Sequence, residues 1–439
     1  MIPRLVALAG RLETRPGLLG GAKLANVALA MVWGFVVTFV FVRLLPIGEF
    51  RTFLLLIAFA NFTVSAELGL SAIVYSRLRR DQVTGEGRFR VEEMSALFWL
   101  MTGIIATGGA MIGLAIALGG IPTRYPLLFI AFYGVSAINL LTVLARRALA
   151  ALDHNLWWEA LDFLRRASGI VLLLASLIGL PILDAVLAQL AIALLILWLG
   201  MATIQRSLGM AARQWLAVRA GAGHVRAHYL ADFGRTGALT LFDVAAYNAP
   251  YFTIAAATQD PRPLLLFDFV FKMSRALSAV IRALVETALP ALTRAWFGDE
   301  TERLRSGLVR LTGGALLVSL AAALALLLVG GPLAAIIFDG KIRLEQAETG
   351  MIMLLLLALG VMCVSVYLQT GLGRFGALVG PSFLFLVGSL ISVPVALALQ
   401  GAAGWSLSQA FMLSYMLVHL ALALVHGRLL GQVGKGARA

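Results

Sequence analysis

Long apolar stretches alternate with short polar connections along nearly the whole chain of 439 residues. The hydrocarbon core of a bilayer is about 30 Å thick, and a helix needs about 20 mainly apolar residues to cross it. Twelve stretches meet or approach this length, which predicts an all-α polytopic membrane protein with about twelve transmembrane helices. The predicted spans are 24–44, 52–75, 94–118, 125–145, 166–182, 185–203, 234–257, 264–289, 308–329, 350–370, 376–398 and 404–427.

Three segments outside these spans are predicted to lie at the membrane surface. The N-terminal segment, MIPRLVALAGRLETRPG, places apolar residues at helical spacing with arginines between them, which is typical of a surface helix. Residues 151–166, ALDHNLWWEALDFLRR, combine two tryptophans with charged residues. This pattern indicates a surface hairpin, with head-group recognition as its alternative role. Residues 331–349 are too polar to cross the bilayer and indicate a second surface hairpin or an interfacial segment.

The longest connection between predicted spans separates six helices from six. We therefore predict an N-terminal lobe at 1–203, a cytoplasmic interfacial linker at 204–233 and a C-terminal lobe at 234–439. Two six-helix halves are typical of duplicated transporters, whose substrate sites lie near the bilayer midplane between the halves.

The distribution of basic residues predicts the orientation. Of the 35 lysines and arginines, 26 fall in segments on one predicted side and 6 on the other, while Lys272, Arg275 and Arg282 lie within a span. Cytoplasmic loops carry the excess of Lys and Arg, so both termini are predicted to be cytoplasmic. The net charge of +13 is therefore interpreted as membrane topology, and no nucleic-acid partner is expected.

The sequence lacks the motifs that disulfide bonding, nucleotide hydrolysis and metal binding require. Cys363 is the single cysteine, so no disulfide can form within the chain. No phosphate-binding GxxxxGK motif is found, and neither a cofactor nor a metal is expected. The histidines of the polar connections (His154, His224 and His228) have no metal-ligand spacing and are expected to be solvated.

The eighth predicted span contains the stretch FDFVFKMSRALSAVIRALVE, which carries five charges in residues 267–286. At 100° per residue they fall within an arc of about 80°, so they form one polar stripe. The stripe consists of Asp268, Lys272, Arg275, Arg282 and Glu286. One interpretation is purely structural, with two i,i+4 ion pairs. The other is a water-filled cavity for an anionic substrate.

Arg275 favours the cavity interpretation. It lies near the centre of the span and has no oppositely charged residue three or four positions away. The stripe therefore carries a net charge of +1. The planar guanidinium donates two hydrogen bonds at once, which suits a phosphate or diphosphate. We therefore predict substrate binding by Arg275, Lys272 and Arg282.

Other polar residues lie inside predicted spans. Asp243 and Glu67 are expected either to balance the cations or to carry coupling protons, and Asp268 and Glu286 to balance the stripe itself. For uncharged polar residues within spans, hydrogen bonding between helices is the favoured role. A cavity-lining role is the alternative for Asn26, Asn61, Tyr247 and Gln369.

Four motifs, in order along the chain, resemble those of a known family. Segment 43–78 holds a Gly48-Glu49-Phe50 turn and a Glu67-x-Gly69-Leu70 element. The other three are ETALPALTRAW (286–296), LQTGLGRFGAL (368–378) and GAAGWSLSQAF (401–411). The set resembles the polysaccharide transporter, or O-antigen flippase, family of the multidrug/oligosaccharidyl-lipid/polysaccharide (MOP) exporter superfamily.

The resemblance implies two six-helix lobes in a V shape, with alternating access around a cationic cavity. It implies a flippase for undecaprenyl-diphosphate-linked oligosaccharide in the bacterial inner membrane. The expected partners are this lipid-linked substrate, membrane lipids and the polysaccharide polymerase and chain-length machinery. A cation-coupled multidrug antiporter of the same fold is the first alternative. A polytopic membrane glycosyltransferase or polymerase is less favoured, because the longest predicted extracytoplasmic segment has only about 20 residues and enzymes of that kind need more.

Overall fold

A computed structural model describes residues 16–84 and 89–435; the predicted N-terminal surface helix lies largely outside this part. All regular secondary structure in the described ranges is helical, so the predicted all-α fold is confirmed. Two short 3-10 helices, Ser176–Ile178 and Ala212–Leu216, accompany fourteen α-helices. These are α1 (Pro16–Leu44), α2 (Ile47–Ser65), α3 (Leu70–Thr84), α4 (Val91–Ala117), α5 (Pro126–Ala137), α6 (Asn139–Ala151), α7 (Asn155–Ala175), α8 (Ile182–Ser207), α9 (Val218–Ala257), α10 (Arg262–Phe297), α11 (Thr301–Ile337), α12 (Gln346–Gly371), α13 (Phe375–Ala403) and α14 (Leu407–Gly434).

Nine helical segments in the described residues are long and apolar enough to cross a membrane. Three further helices, α7, α9 and α10, have 21, 40 and 36 residues and also reach the length of a span. They correspond to the predicted fifth, seventh and eighth spans, and their charged residues lower their hydropathy. The polytopic membrane fold is confirmed.

The predicted second span is interrupted. The helix stops at Ser65 and a new one begins at Leu70. Between them Leu68 and Gly69 have φ values of 48° and 85°, in the left-handed region that breaks a right-handed helix. The Glu67 carboxylate then accepts a hydrogen bond from the backbone N–H of Ser71 at 3.2 Å, at the start of α3.

The prediction of a hairpin over the whole of 331–349 is wrong in extent, because only residues 338–345 lie between two helices. Helix α11 continues through Pro332 to Ile337, because the sequence LAAII remains apolar and helical. The chain turns only afterwards, where Asp339 and Gly340 have φ values of 55° and 70°. The polar connection is therefore short, and α12 begins at Gln346.

The prediction of a surface hairpin at 151–166 is also wrong, because residues 155–175 form the single helix α7. At 1.5 Å per residue its 21 residues extend about 31 Å, enough to cross the hydrocarbon core. Trp158 is 2% exposed, so this tryptophan packs inside the bundle. Arg165 and Arg166 consequently lie in the middle of a helix and not in a loop. Whether α10 alone carries basic residues within a span stays a prediction.

The chain forms two compact units, one up to Thr240 and one from Leu241 onward. In the first unit, α1 packs on α7, α7 on α8, and α3 on α6. Its core includes a ring cluster in which Phe41 and Phe53 stack at 4.0 Å between centroids and Phe132 packs edge-on. In the second unit, α14 packs on α12 and α13, and α10 packs on α11 and α12.

The residues between α8 and α9 are attached to α4. Ser95 Oγ and Trp99 Nε1 donate to the Trp215 carbonyl at 2.6 and 2.8 Å. Helix α9 then starts at Val218, within the segment predicted as a linker. Its Gly221 lies so close to α4 that an added Cβ would fall 2.0 Å from the Glu92 carbonyl oxygen. The backbone of α9 thus approaches α4 as closely as glycine permits.

Candidate functional site

The polar stripe lies on α10 in the second unit, and its first carboxylate is almost fully buried. Asp268 is 1% exposed and forms an ion pair with Lys272, one helical turn later. The Tyr251 hydroxyl of α9 donates to Asp268 Oδ1 at 2.7 Å. The Lys272 ammonium is therefore already neutralised by a carboxylate that α9 holds in place.

The last two charges of the stripe also pair with each other. Arg282 Nε donates to Glu286 Oε1 at 2.8 Å, and the two side chains are 54% and 59% exposed. The Arg282 guanidinium also lies over the Tyr367 ring at 5.8 Å from its centroid. Four of the five stripe charges thus form the two i,i+4 pairs that the sequence spacing allows.

Arg275 is the exception. Within the described residues it forms no salt bridge, and its side chain is exposed. Its guanidinium lies 5.6 Å from the Phe271 ring centroid, one turn back on the same helix. Asp243 attracts it electrostatically without forming an ion pair. The net positive charge of the stripe therefore belongs to Arg275.

Asp243 and Tyr247 bring α9 into the same cluster. Asp243 lies close enough to the Ser382 hydroxyl of α13 to interact with it. The Tyr247 ring packs edge-on against Phe385 and Phe271, at centroid distances of 4.9 and 6.4 Å. The second unit thus gathers a carboxylate, an arginine and aromatic rings on α9, α10 and α13.

The other predicted site residues lie elsewhere. Gln369 is fully buried at the end of α12 and points its amide nitrogen at the Leu429 carbonyl, 3.5 Å away. Glu67, Asn61 and Asn26 belong to the first unit. Glu67 lies in the break between α2 and α3, and Asn61 lies on α2. A cavity-lining role for Gln369, Asn61 and Asn26 stays a prediction, as does charge balancing or proton coupling by Glu67.

Asn26 belongs to a buried polar network that the sequence predictions missed. We call this network the α7 polar seam; it comprises Asn26, Asn139, Arg146, Glu159, Asp162, Arg165 and Arg166. Asn26 donates to the carboxylate of Glu159 at 2.6 Å and to its carbonyl at 2.8 Å. Arg146 of α6 donates to the same carboxylate at 3.2 Å. The seam therefore joins α1, α6 and α7.

Asp162 is the centre of the inner half of the seam. It accepts from Arg165 at 2.7 and 3.0 Å and from Arg166 at 2.9 Å. Arg165 also donates to Asn139 of α6 at 2.9 Å. The i,i+3 and i,i+4 spacing of these charges is visible in the sequence. The predicted fifth span begins too late along the chain, which assigns them to a loop.

A second missed cluster surrounds Glu93, which is completely buried. Its carboxylate accepts from Arg77 at 3.1 and 3.2 Å and from the Tyr229 hydroxyl at 2.6 Å. His224 Nε2 lies 2.9 Å from the same carboxylate, so the prediction that His224 is solvated is wrong. Burial and the hydrogen bond to Glu93 raise the pKa of Tyr229, which keeps the phenol a donor. No sequence signal links residues so far apart.

The first unit also contains a mainly apolar groove of about 560 Å³. Phe59 and Thr63 of α2 line one side, and Trp99 and Thr107 of α4 line the other. Thr63 Oγ1 lies 3.2 Å from the Tyr133 hydroxyl. Within the described residues, no three His, Cys, Asp or Glu side chains are placed to hold a metal ion.

Comparison with known proteins identifies the fold. No protein-family model matches the sequence, and no curated relative matches it. Among solved structures, a point mutant of the Vibrio cholerae MATE transporter VcmN aligns with a TM-score of 0.58 at 13% identity, covering 98% of this chain and 97% of that one. A MATE protein in complex with MaL6 aligns with a TM-score of 0.58 at 15% identity, covering 99% and 93%.

A third structure, the inward-facing conformation of a multidrug resistance MATE family transporter of the MOP superfamily, aligns with a TM-score of 0.56 at 13% identity, covering 96% of each chain. The alignments extend over essentially the full length of both partners, so the likeness includes the helices of both units. The chain therefore has the MATE-type, two-lobed polytopic fold found in the MOP superfamily.

Proposed function

We propose that this protein is a transporter that flips a polyprenyl-diphosphate-linked oligosaccharide across the bacterial inner membrane by alternating access, with both termini in the cytoplasm. The MOP-type fold supports a transporter. The observation that carries the substrate class is Arg275, an exposed arginine inside a membrane helix with no salt bridge among the described residues. An intramembrane cation of this kind is costly and by default marks a functional site.

The physical problem is to move a diphosphate and a polar glycan through about 30 Å of hydrocarbon. Arg275 would bind the diphosphate first, because its guanidinium is not committed to a carboxylate. Lys272 and Arg282 would add to the positive electrostatic potential at the diphosphate. Asp268 and Glu286 would lower this potential enough for the substrate to be released. Asp243 would balance Arg275 in the empty state. The apolar prenyl chain can remain in lipid throughout.

A cation-coupled multidrug antiporter is the second candidate. The observation that favours it is Asp243, a carboxylate on α9 without a salt bridge among the described residues and within electrostatic reach of Arg275. Such a carboxylate suits a coupling ion or a cationic drug. An antiporter would depend more on Asp243 than on Arg275, whereas a diphosphate flippase would depend more on Arg275.

The deciding experiment replaces Arg275 with Gln, and separately Asp243 with Asn, in the native host. For a flippase we expect Arg275→Gln to abolish most surface polysaccharide, and Arg275→Lys to retain part of it because the charge remains while the planar fork is lost. The matched control is Arg303→Gln, which removes an arginine that is 81% exposed in the same unit.

Protein levels are measured in every strain. Normal polymer in the Arg275, Lys272 and Arg282 variants at normal protein levels would exclude the flippase proposal. Unchanged polymer combined with raised sensitivity to cationic dyes in Asp243→Asn would favour the antiporter instead.

A further inference from the structure

Two arginines lie halfway along α7, a helix of the first unit that is long enough to cross the bilayer core. Arg165 is ten residues from either end of the helix, which runs from Asn155 to Ala175. The phenylalanine and leucine just before it, Phe163 and Leu164, are 46% and 57% exposed and form an apolar outer surface. Arg165 and Arg166 therefore cannot reach the helix ends, and their charges must be satisfied where they are.

Arg165 is fully committed to the protein. Its side chain is 8% exposed. It donates from Nε and Nη2 to Asp162 and from Nη1 to Asn139. Asp162 can neutralise only one of the two neighbouring arginines, so this trio of charges has a net charge of +1. The excess charge is that of Arg166.

Arg166 retains most of its donors. Among the described residues its one hydrogen bond is from Nε to Asp162 at 2.9 Å. The Nη1 and Nη2 atoms carry four further N–H donors and bond to no described residue. The side chain is 25% exposed, so these donors are accessible while the Nε bond fixes the plane of the guanidinium. A fixed fork with two free nitrogens is the geometry that binds a phosphate in bidentate fashion.

We propose that Arg166 is an anion-binding residue of the first unit, held by Asp162 and Arg165, and that its ligand is the diphosphate or phosphate group of a membrane lipid. This proposal rests on the proposed function, because it assigns a binding residue within the first unit for the same class of anionic head group. The two arginines are held in place differently. Arg166 donates to Asp162 of a buried polar network, whereas Arg275 lies over the Phe271 ring of its own helix.

Binding to the purified full-length protein in a neutral detergent tests the proposal. The probes are farnesyl diphosphate, farnesol with the same apolar tail, and inorganic diphosphate. We expect the wild type to bind farnesyl diphosphate more tightly than farnesol. Arg166→Gln should weaken diphosphate binding by about tenfold or more, since a bidentate charge-assisted pair is lost, and should leave farnesol binding unchanged. Arg166→Lys should be intermediate.

Arg206→Gln is the matched control, because Arg206 is an exposed arginine at the end of α8 in the same unit. The Arg166→Gln protein should fold, since Asp162 keeps Arg165 as its partner; thermal melting and size-exclusion profiles verify this. If inorganic diphosphate binds as tightly as farnesyl diphosphate, the ligand is the free anion; if it binds weakly, the ligand is a lipid head group.

The two proposals fail separately. Unchanged affinity in Arg166→Gln, with a loss in Arg275→Gln, would overturn the role of Arg166 and leave the α10 site intact. A loss in Arg166→Gln with none in Arg275→Gln would support Arg166 and exclude the α10 site as proposed. Equal binding of farnesol and farnesyl diphosphate by the wild type would overturn both.

Discussion

Helices α7 and α10 are both long enough to cross a membrane and carry charges near their centres, yet they satisfy those charges differently. On α10 the ion pairs run along one helix, from Asp268 to Lys272 and from Arg282 to Glu286. On α7, Glu159 accepts from Asn26 of α1 and from Arg146 of α6. Arg165 of the same helix also donates to Asn139 of α6. Among the described residues, the stripe has one such bond to a neighbouring helix, from Tyr251 of α9 to Asp268, whereas the seam joins α7 to two helices by three.

This difference suggests a division of roles between the units. The α7 polar seam holds α1, α6 and α7 as one body and keeps one arginine oriented. In the α10 stripe, the pair of Arg282 and Glu286 is more than half exposed. The pair of Asp268 and Lys272 is largely buried and is linked to α9 by the hydrogen bond from Tyr251 to Asp268. Charge substitutions should therefore destabilise the protein more at α7 than at α10.

The largest effect is expected from Asp162→Ala. This change leaves Arg165 buried without its carboxylate, and removing one partner of a buried pair costs about 3–5 kcal/mol. The measurement is thermal unfolding of the purified protein in detergent. Asp153→Ala is the control, because Asp153 pairs with Arg79 at the surface and its side chain is 70% exposed. Equal melting temperatures in the two variants would contradict the structural role of the seam.

A smaller effect is expected from Asp268→Ala on α10. The variant leaves the Tyr251 hydroxyl and the Lys272 ammonium without this acceptor, which costs about 1–3 kcal/mol for a buried polar group. The cost is lower than at Asp162 because a buried lysine can lose its proton, whereas arginine stays charged. Thermal unfolding of both variants side by side tests this order. If Asp268→Ala lowers the stability more than Asp162→Ala does, the expected order of the two helices is reversed.

Glu159→Gln should have a moderate effect. The amide oxygen can still accept from Asn26, but the ion pair with Arg146 is lost. Because the Arg146 side chain is 51% exposed and partly solvated, we expect a loss of about 0.5–1.5 kcal/mol. Denaturation of Glu159→Gln beside Glu159→Ala separates charge from hydrogen bonding. If the two variants lose equal stability, the hydrogen bond to Asn26 contributes nothing.

The smallest effect is expected for the pair of Arg282 and Glu286. Both side chains are more than half exposed, so a double-mutant cycle with Arg282→Gln and Glu286→Gln should give a coupling energy of about 0.2–1 kcal/mol. The coupling should weaken further in high salt, because exposed charges are screened. A coupling well above this range that is insensitive to salt would show that this end of the stripe is desolvated.

The sequence predictions succeeded where the interaction is local. The angular arrangement of Asp268, Lys272, Arg282 and Glu286 follows from helical periodicity, and the structure contains both i,i+4 pairs. The spans without central charges were also located well. The fifth span was predicted too far toward the C-terminus, because Glu159, Asp162 and Arg165 lower the hydropathy of the first half of α7. The tertiary structure buries these same charges.

Hydropathy alone also misjudged two helix boundaries. The break after Ser65 depends on left-handed residues at Leu68 and Gly69, which apolar composition does not reveal. The extension of α11 past Pro332 places a proline inside a membrane helix, where neighbouring groups tolerate it.

By itself the sequence determined the all-α membrane fold and the polar stripe of α10, because span length and helical periodicity are properties of contiguous residues. Only the tertiary structure decided which charges remain available. Glu93 is joined to His224 and Tyr229 from more than a hundred positions away. Arg165 is committed while Arg166 keeps free donors, because Asn139 of another helix reaches only the first. Such choices depend on which helices pack together, and burial then makes each unpaired charge costly enough to matter.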